Sequence, residues 1–347
     1  MRVLLTGAAG FIGAQIASQL TERGDEVVGV DLMLPAAHGA AAAPDGVHQL
    51  DVRDAGAWGE LLDGVDVVCH QAAMVGAGVT VADMPEYAGH NDLGTAVLMA
   101  AMTEHGVSRL VQASSMVVYG EGRYACPTHG HQLPGTRTTE ALDGGAFENP
   151  CPVCGEPLGW ETVDEDARLD PRSSYAASKV AQEHYAIAWV RQAGAAAVSL
   201  RYHNVYGPGM PRDTPYSGVA AMFRSALERG EAPTVYEDGG QMRDFVHVTD
   251  VARANVLSID AVLRAPVGSH AAYNVCSGEP VAILDVARRV AAGTGSGIEP
   301  VVTGQYRLGD VRHIVASPER AAAELGFTAR VRPTEGLADF ATAPLRA

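Results

Sequence analysis

Tyr175 and Lys179 stand four residues apart in Tyr175-Ala-Ala-Ser-Lys179, so on a helix the phenol and the ammonium share a face one turn apart. A phenol ordinarily titrates near pH ~10, and each unit by which a neighbouring cation lowers that value represents roughly 1.4 kcal/mol of stabilised phenolate. Such a pair suits proton removal from an alcohol. The spacing also arises by chance in many helices, so its weight rests on its surroundings. A second chemistry-bearing cluster lies just upstream. Cys126-Pro-Thr-His129-Gly and Cys151-Pro-Val-Cys154-Gly each offer two thiol or imidazole ligands around a turn closed by glycine. Together they predict one Cys3His zinc site over Cys126, His129, Cys151 and Cys154, filled by protein and therefore structural. Three open points remain: His131 could replace His129, Cys151 and Cys154 could form a redox pair, or the segment could bind nothing. Cys69 and Cys276 lie in apolar, strand-like runs and are expected to be buried.

These residues need a scaffold to hold them. The chain has 347 residues, 47% hydrophobic and 19% charged, enough for a substantial core in about two domains. Its formal charge of -16 argues against nucleic-acid binding. The sequence has no run of 18 apolar residues and no signal-peptide pattern, so a cytoplasmic protein without a membrane span is expected. Short β-branched runs (Val3-Leu4-Leu5, residues 26–30, 65–69, 109–113 and 197–200) alternate with Ala-rich amphipathic segments. Strands without polar alternation, separated by helices, predict an α/β fold with a doubly wound parallel sheet covered on both faces. Beyond residue 205 the pattern loosens into Pro- and Gly-rich turns, which suggests a smaller mixed α/β lobe.

The first strand runs into Gly7-Ala-Ala-Gly10-Phe11-Ile12-Gly13 and then a helical segment. Gly7 allows the tight turn, Gly10 lets the backbone approach a pyrophosphate, and Gly13 permits close packing, with the phosphate at the helix N-terminus. Asp31 closes the second strand, where it can accept both ribose hydroxyls and would repel a 2'-phosphate. With no arginine following in residues 32–37, NAD is favoured over NADP.

In this order the motifs resemble the extended short-chain dehydrogenase/reductase family, in its nucleotide-sugar epimerase and dehydratase branch. The resemblance spans nearly the whole chain and includes Asp51-Val52, His70-Gln71-Ala72-Ala73, Asn91-Asp-Leu-Gly-Thr95, Ser114-Ser115, Val118-Tyr119-Gly120 and the Tyr175/Lys179 pair. It implies a Rossmann-type fold and tightly bound NAD contacted by the glycine motif, Asp51, Val52, Gln71, Ala72, Ala73, Asn91, Tyr175 and Lys179. It also implies a catalytic Ser115 hydrogen-bonded to the substrate oxygen that Tyr175 deprotonates, with Ser114 left to cap nearby backbone. Dehydratases of the family carry an Asp-Glu pair directly after this position. Here Met116 and Val117 stand there, so water elimination of that kind is not expected.

Further along, Asn204, Arg243 and Arg307 match family positions that bind substrate pyrophosphate, and Asp310 matches one that binds nucleoside ribose; Arg312 and His313 could belong to either site or scaffold. Between Tyr119 and Tyr175 lie 55 residues, where family members usually have roughly 20 to 30, which identifies 121–165 as a zinc-knuckle insert. That insert, with residues 214–223, 235–239 and 306–313, looks like the dTDP-L-rhamnose 4-epimerase branch. The reading is therefore a nucleotide-sugar 4-epimerase passing through a transient 4-keto sugar. A 4-ketoreductase with the same catalytic set and a non-catalytic NAD-responsive binding protein are the alternatives. The expected domains are 1–204 for NAD and 205–347 mainly for nucleotide sugar, with 246–275 returning to the first. The resemblance also implies a homodimer formed through the helices that carry Tyr175 and Asn91.

Overall fold

The computed structural model describes residues 1–76, 80–212 and 218–346, so residues 214–217 of the branch-like 214–223 segment lie outside the described residues. Seven strands form the central sheet in the spatial order His270–Val275, Ala196–Tyr202, Arg109–Ser115, Val67–His70, Arg2–Thr6, Glu26–Asp31 and Val47–Gln49. All neighbours pair in parallel. Ala196–Tyr202 is buried along its whole length, as a strand covered on both faces must be.

One face of the sheet packs on helices Phe11–Glu22 and Val248–Arg264 through Ile16, Leu20, Val251, Ile259 and Val262. The other packs on Gly94–Glu104 and Ser174–Ala193 through Leu98, Met102, Ala186, Trp189 and Val190. The direction of strand succession reverses between Arg2–Thr6 and Val67–His70. Such a switch point opens a crevice at the carboxyl ends of the strands, and both Gly7 and Gln71 sit at its rim.

Two local features position the chemistry. Ser173 caps the Ser174–Ala193 helix by accepting from Ala176 N at 3.1 Å, which fixes where the turn bearing Tyr175 begins. Across from it, the helical run from Met84 to Glu104 contains a π turn at Ala88–Leu93, and Asn91 lies inside that turn. Such turns often mark functional sites.

A smaller lobe is built from strands Asn204–Tyr206, Met242–His247 and Pro280–Ala282 and helices Val219–Glu228, Ile283–Thr294 and Pro333–Phe340. They close around Tyr206, Phe223, Phe245, Leu337 and Phe340. The extra segment before the catalytic helix folds as a three-stranded antiparallel sheet, Gly130–Gln132, Arg123–Cys126 and Gly159–Glu161, with a short helix Thr139–Asp143. Its own apolar cluster is Tyr124, Cys126, Cys151 and Leu158, with Leu142 buried apart from it and Val163 packed into the main body, too little to order it unaided. Cys69 and Cys276 are buried.

Candidate active site

At the switch point Gly7 adopts a φ of +68°, and a Cβ there would come within 2.7 Å of Ala72 N. The tightest glycine of the turn is Gly13, where a Cβ would lie 2.0 Å from the Gly7 carbonyl oxygen. Gly13 thus packs the helix on the turn itself. Gly13→Ala gains about 1 kcal/mol of helix propensity but must force two backbone segments apart. A net loss of about 3 kcal/mol, together with loss of bound NAD, is expected from thermal unfolding and cofactor analysis of the purified variant. The helix beginning at Phe11 has Gly10 as its N-cap, no side-chain cap and no acidic residue in its first turn. Its first N–H groups, among them those of Phe11 and Ile12, therefore lack a competing anion, as a phosphate site requires. Thr6 Oγ1 accepts from Gln71 N at 3.2 Å and Ala72 N at 3.1 Å, tying the segment that continues into Ala73 to the first strand.

The acidic residues of the cofactor cleft are more occupied than the sequence suggests. Asp31 accepts from Ala9 N at 3.0 Å and Met33 N at 2.9 Å, and His38 Nε2 lies 3.4 Å away. Its remaining lone pairs are what a ribose could use. Burial raises the Asp51 carboxyl, but hydrogen bonds from Arg53 outweigh this and hold it below the ordinary range. Val52 turns its side chain into the core, leaving only backbone for adenine. Asn91 is fully buried; both amide hydrogens are used, on Met74 O at 2.9 Å and Ser178 Oγ at 2.8 Å, and its oxygen accepts from Met74 N at 2.7 Å. It therefore pins loop to helix. Gln71 bonds to Tyr202 Oη at 2.9 Å and Asn255 Oδ1 at 3.1 Å. Sequence reasoning missed His38 and Arg346, whose Nη1 donates to Ala9 O at 2.6 Å; no motif marks either.

Ser115, Tyr175 and Lys179 converge at the carboxyl end of the Arg109–Ser115 strand. Lys179 Nζ lies 5.9 Å from the centre of the Tyr175 ring and donates to Ala113 O at 3.0 Å. The Tyr87 ring packs on Tyr175 at 5.9 Å between centroids. The ionisation runs opposite to the simple expectation of an activated phenol. Burial pushes Tyr175 up to about 12, with a hydrogen bond to Ser115 drawing it back only in part. Burial also pushes Lys179 down to about 7, against the pull of Glu183 and Asp92. Without ligand, desolvation outweighs the Ser115 hydrogen bond at the phenol and the Glu183 and Asp92 carboxylates at the ammonium. Asp92, also missed, is raised to about 6 by burial, with Lys179 opposing. Ser115, besides its hydrogen bond to Tyr175, accepts from Val117 N at 3.4 Å at the head of the Met116–Tyr119 turn, whereas Ser114 Oγ donates to Glu183 Oε1 at 2.5 Å. Ser114 meets the buried Glu183–Arg201 pair instead of capping backbone.

Two residues after Tyr202, the strand partner of Ser115, Asn204 lines a cavity of about 390 Å³ together with Tyr236, Glu237, Arg243, Arg307 and Asp310 among others. The structure thus brings four of the five sequence-predicted substrate residues, all but Ser115, to the lining of one cavity. Asn204 Oδ1 is buried there without a partner among the described residues. Arg243 donates to Arg312 O at 2.9 Å and Val311 O at 2.7 Å, and Arg307 stacks on the Tyr236 ring at 5.1 Å. Asp310 opens onto the cavity, yet protein surrounds it closely enough to raise its carboxyl against Arg307, Arg243 and Arg137. Arg312 and His313 are scaffold: both are buried and both pair with Glu148.

In the insert, Cys126 Sγ lies 3.4 Å from His129 Nδ1 and 3.8 Å from Cys154 Sγ, and Cys151 Sγ lies 3.7 Å from His129 Nδ1. All four ligand atoms fall within 4.8 Å of one another. Metal–ligand bonds of ~2.0–2.3 Å give tetrahedral edges of about 3.5–3.8 Å, which these three contacts approach, so the donor set suits one ion with a small contraction of the remaining separations. His131 instead contacts Arg123 at 3.0 Å and Glu161 at 3.2 Å, leaving His129 in the cluster. All five cysteines are free thiols.

A doubly wound sheet with a glycine turn at its switch point and a Ser–Tyr–Lys set at the crevice mouth defines a dinucleotide-dependent enzyme of the short-chain dehydrogenase/reductase type. More narrowly, the chain belongs to the NAD dependent epimerase/dehydratase family, whose profile matches residues 3–141 and 151–276. It is 34% identical to dTDP-L-rhamnose 4-epimerase of Burkholderia thailandensis, covering 98% of this chain and 94% of that protein. It is 31% identical to UDP-glucose 4-epimerase of Mycolicibacterium smegmatis, covering 97% and 96%. Among solved structures, Thermus thermophilus UDP-glucose 4-epimerase in complex with NAD superposes with a TM-score of 0.75 at 32% identity over 98% of this chain and 99% of that one. MoeE5 in complex with UDP-glucuronic acid and NAD gives 0.76 at 31% over 98% of each.

Proposed function

We propose that the protein is an NAD-dependent nucleotide-sugar 4-epimerase acting through a transient 4-keto sugar, on a dTDP-6-deoxyhexose such as dTDP-L-rhamnose. The observation that carries this reading is the cavity lined by Asn204, Arg243, Arg307 and Asp310, which Asn204 enters two residues after Tyr202, the strand partner of Ser115. When bound, NAD supplies the hydride acceptor and donor for C4 and, in its oxidised form, a positive charge that favours the phenolate. Tyr175 takes the proton from O4, Ser115 orients that oxygen, and Lys179 holds the cofactor ribose and balances charge. Arg243 and Arg307 hold the diphosphate through their forked donors, so the hexose can turn and present its other face. Met116 and Val117, next to Ser115, carry no proton to exchange, which favours epimerisation over water loss.

The insert is read as a structural zinc module with ligands Cys126, His129, Cys151 and Cys154; zinc there orders a segment with little core of its own. Among the described residues no helix is long and apolar enough to cross a membrane, and we infer a cytoplasmic enzyme. Met84, Leu93 and Tyr185 are exposed on the helices carrying Asn91 and Tyr175, which supports a homodimer through those faces. The function is tested by incubating purified protein, without added nicotinamide, with dTDP-, UDP- and GDP-sugars and following C4 configuration by NMR. Interconversion of C4 epimers is expected, strongest with a dTDP-6-deoxyhexose. Product formed only with stoichiometric NADH would make the protein a ketoreductase.

A further inference from the structure

The insert is joined to the loop bearing Arg307 and Asp310 through a set of linked charges, of which Arg137, Glu237 and Arg312 are buried, while Glu148 and Asp238, which also pairs with Arg312, are partly exposed. Arg137, in the insert, has a side chain only 4% exposed and places Nη1 2.8 Å from Glu237 Oε1. Its other contacts are Nη2 to Asp310 O at 2.7 Å and Nη1 to Phe147 O at 2.9 Å. The second Glu237 oxygen accepts from Arg312 Nη1 at 2.8 Å, and Arg312 Nε donates at 2.9 Å to Glu148, again in the insert. A lighter tether lies nearer the surface, where Tyr306 Oη donates to Asp143 Oδ1 at 2.7 Å.

Glu237 is therefore gripped by one guanidinium from the insert and one from the loop bearing Arg307 and Asp310. Its backbone is left-handed, with φ 53°, a conformation a non-glycine residue holds only when its surroundings enforce it. Glu237 N donates to Gln305 O at 2.6 Å and Gly304 N to Glu237 O at 3.2 Å, so the strained residue and the loop move together. Glu237 also lines the cavity with Asn204, Arg243, Arg307 and Asp310. The cycle Arg137–Glu237–Arg312–Glu148 thus fixes where Asp310 and Arg307 stand.

We propose that Arg137 is a positioning residue for nucleotide-sugar binding, through which the insert sets the loop that receives the nucleoside diphosphate end of the substrate. This rests on the reading that Arg243, Arg307 and Asp310 bind that end. A lysine could keep the ion pair with Glu237 but not also reach both the Asp310 and Phe147 carbonyls. Removing the charge altogether leaves those carbonyls unbonded and Glu237 with one partner.

The test compares Arg137→Met, Arg137→Lys, Tyr306→Phe and Arg307→Ala with the unaltered enzyme, measuring kcat, KM, calorimetric affinity for free dTDP and NAD content. Arg137→Met is expected to raise KM and the dTDP dissociation constant roughly tenfold, with kcat within about threefold and NAD content unchanged; Arg137→Lys recovers part of the loss. A folded Arg137→Met with unchanged KM and dTDP affinity overturns the proposal, as does a fall in kcat alone. If Arg137→Met does not fold, Tyr306→Phe decides: KM up about threefold supports the proposal and unchanged KM overturns it. Arg307→Ala separates the two claims. If it leaves dTDP affinity intact, the assignment of the diphosphate site fails; if it weakens dTDP while Arg137→Met does not, only the role of Arg137 fails.

Discussion

Tyr175→Phe is expected to lower kcat for C4 epimerisation by about 10²- to 10⁴-fold, the range a positioned acid or base contributes, with KM within a few-fold and NAD content unchanged. The substitution keeps the ring that packs against Tyr87 at 5.9 Å and removes only the hydroxyl. Burial holds that hydroxyl at about 12 in the free protein, so at neutral pH it is protonated until ligand charge stabilises the anion. The loss should therefore fall on the chemical step. Steady-state kinetics on the purified variant, with its NAD measured after acid release, give the result; activity retained within tenfold would remove Tyr175 from the role of base.

The second large effect concerns the metal. Purified protein is expected to carry one zinc per chain, and Cys154→Ser or prolonged chelation to remove it. A closed Cys3His site contributes on the order of 10 kcal/mol, far more than the four-residue apolar cluster of the insert can replace. Cys154 is the exposed member of the set, so its replacement leaves no buried void, and loss of order there reports on the ion. Metal analysis should show the loss, and hydrogen exchange should show amides of 123–163 becoming labile while the central sheet stays protected. Because Arg137, Asp143 and Glu148 tie this segment to the substrate loop, KM should rise more than kcat falls. Metal-free protein with native exchange in the insert would show the thiols to be incidental.

The strand–glycine turn–helix and the shared helix face of Tyr175 and Lys179 were legible because each depends on neighbours close in sequence, and local spacing carries their geometry. The metal knuckles were legible for the same reason, although choosing His129 over His131 needed the strand register that points the second imidazole at Glu161. The Arg137–Glu237–Arg312–Glu148 cycle was not legible, since its ion pairs join residues 75 to 164 positions apart with no periodicity to announce it. Arg312 illustrates the limit: its motif context fitted either a phosphate ligand or a scaffold residue, and only the three-dimensional arrangement of carboxylates decides. Desolvation is likewise a tertiary property. Spacing alone suggested that Lys179 would lower the Tyr175 pKa, and burial of both groups reverses the direction in the free protein.

The central claim is that C4 is inverted by removing and returning its own hydrogen within a closed site. Its most direct test is the epimerisation assay run in D2O with dTDP-L-rhamnose and no added nicotinamide, reading the product by proton and deuterium NMR. The account predicts a mixture of C4 epimers with the original hydrogen kept at C4 and no solvent deuterium on the ring. Deuterium appearing at C4 or a neighbouring carbon would show inversion by proton exchange with solvent and would contradict it.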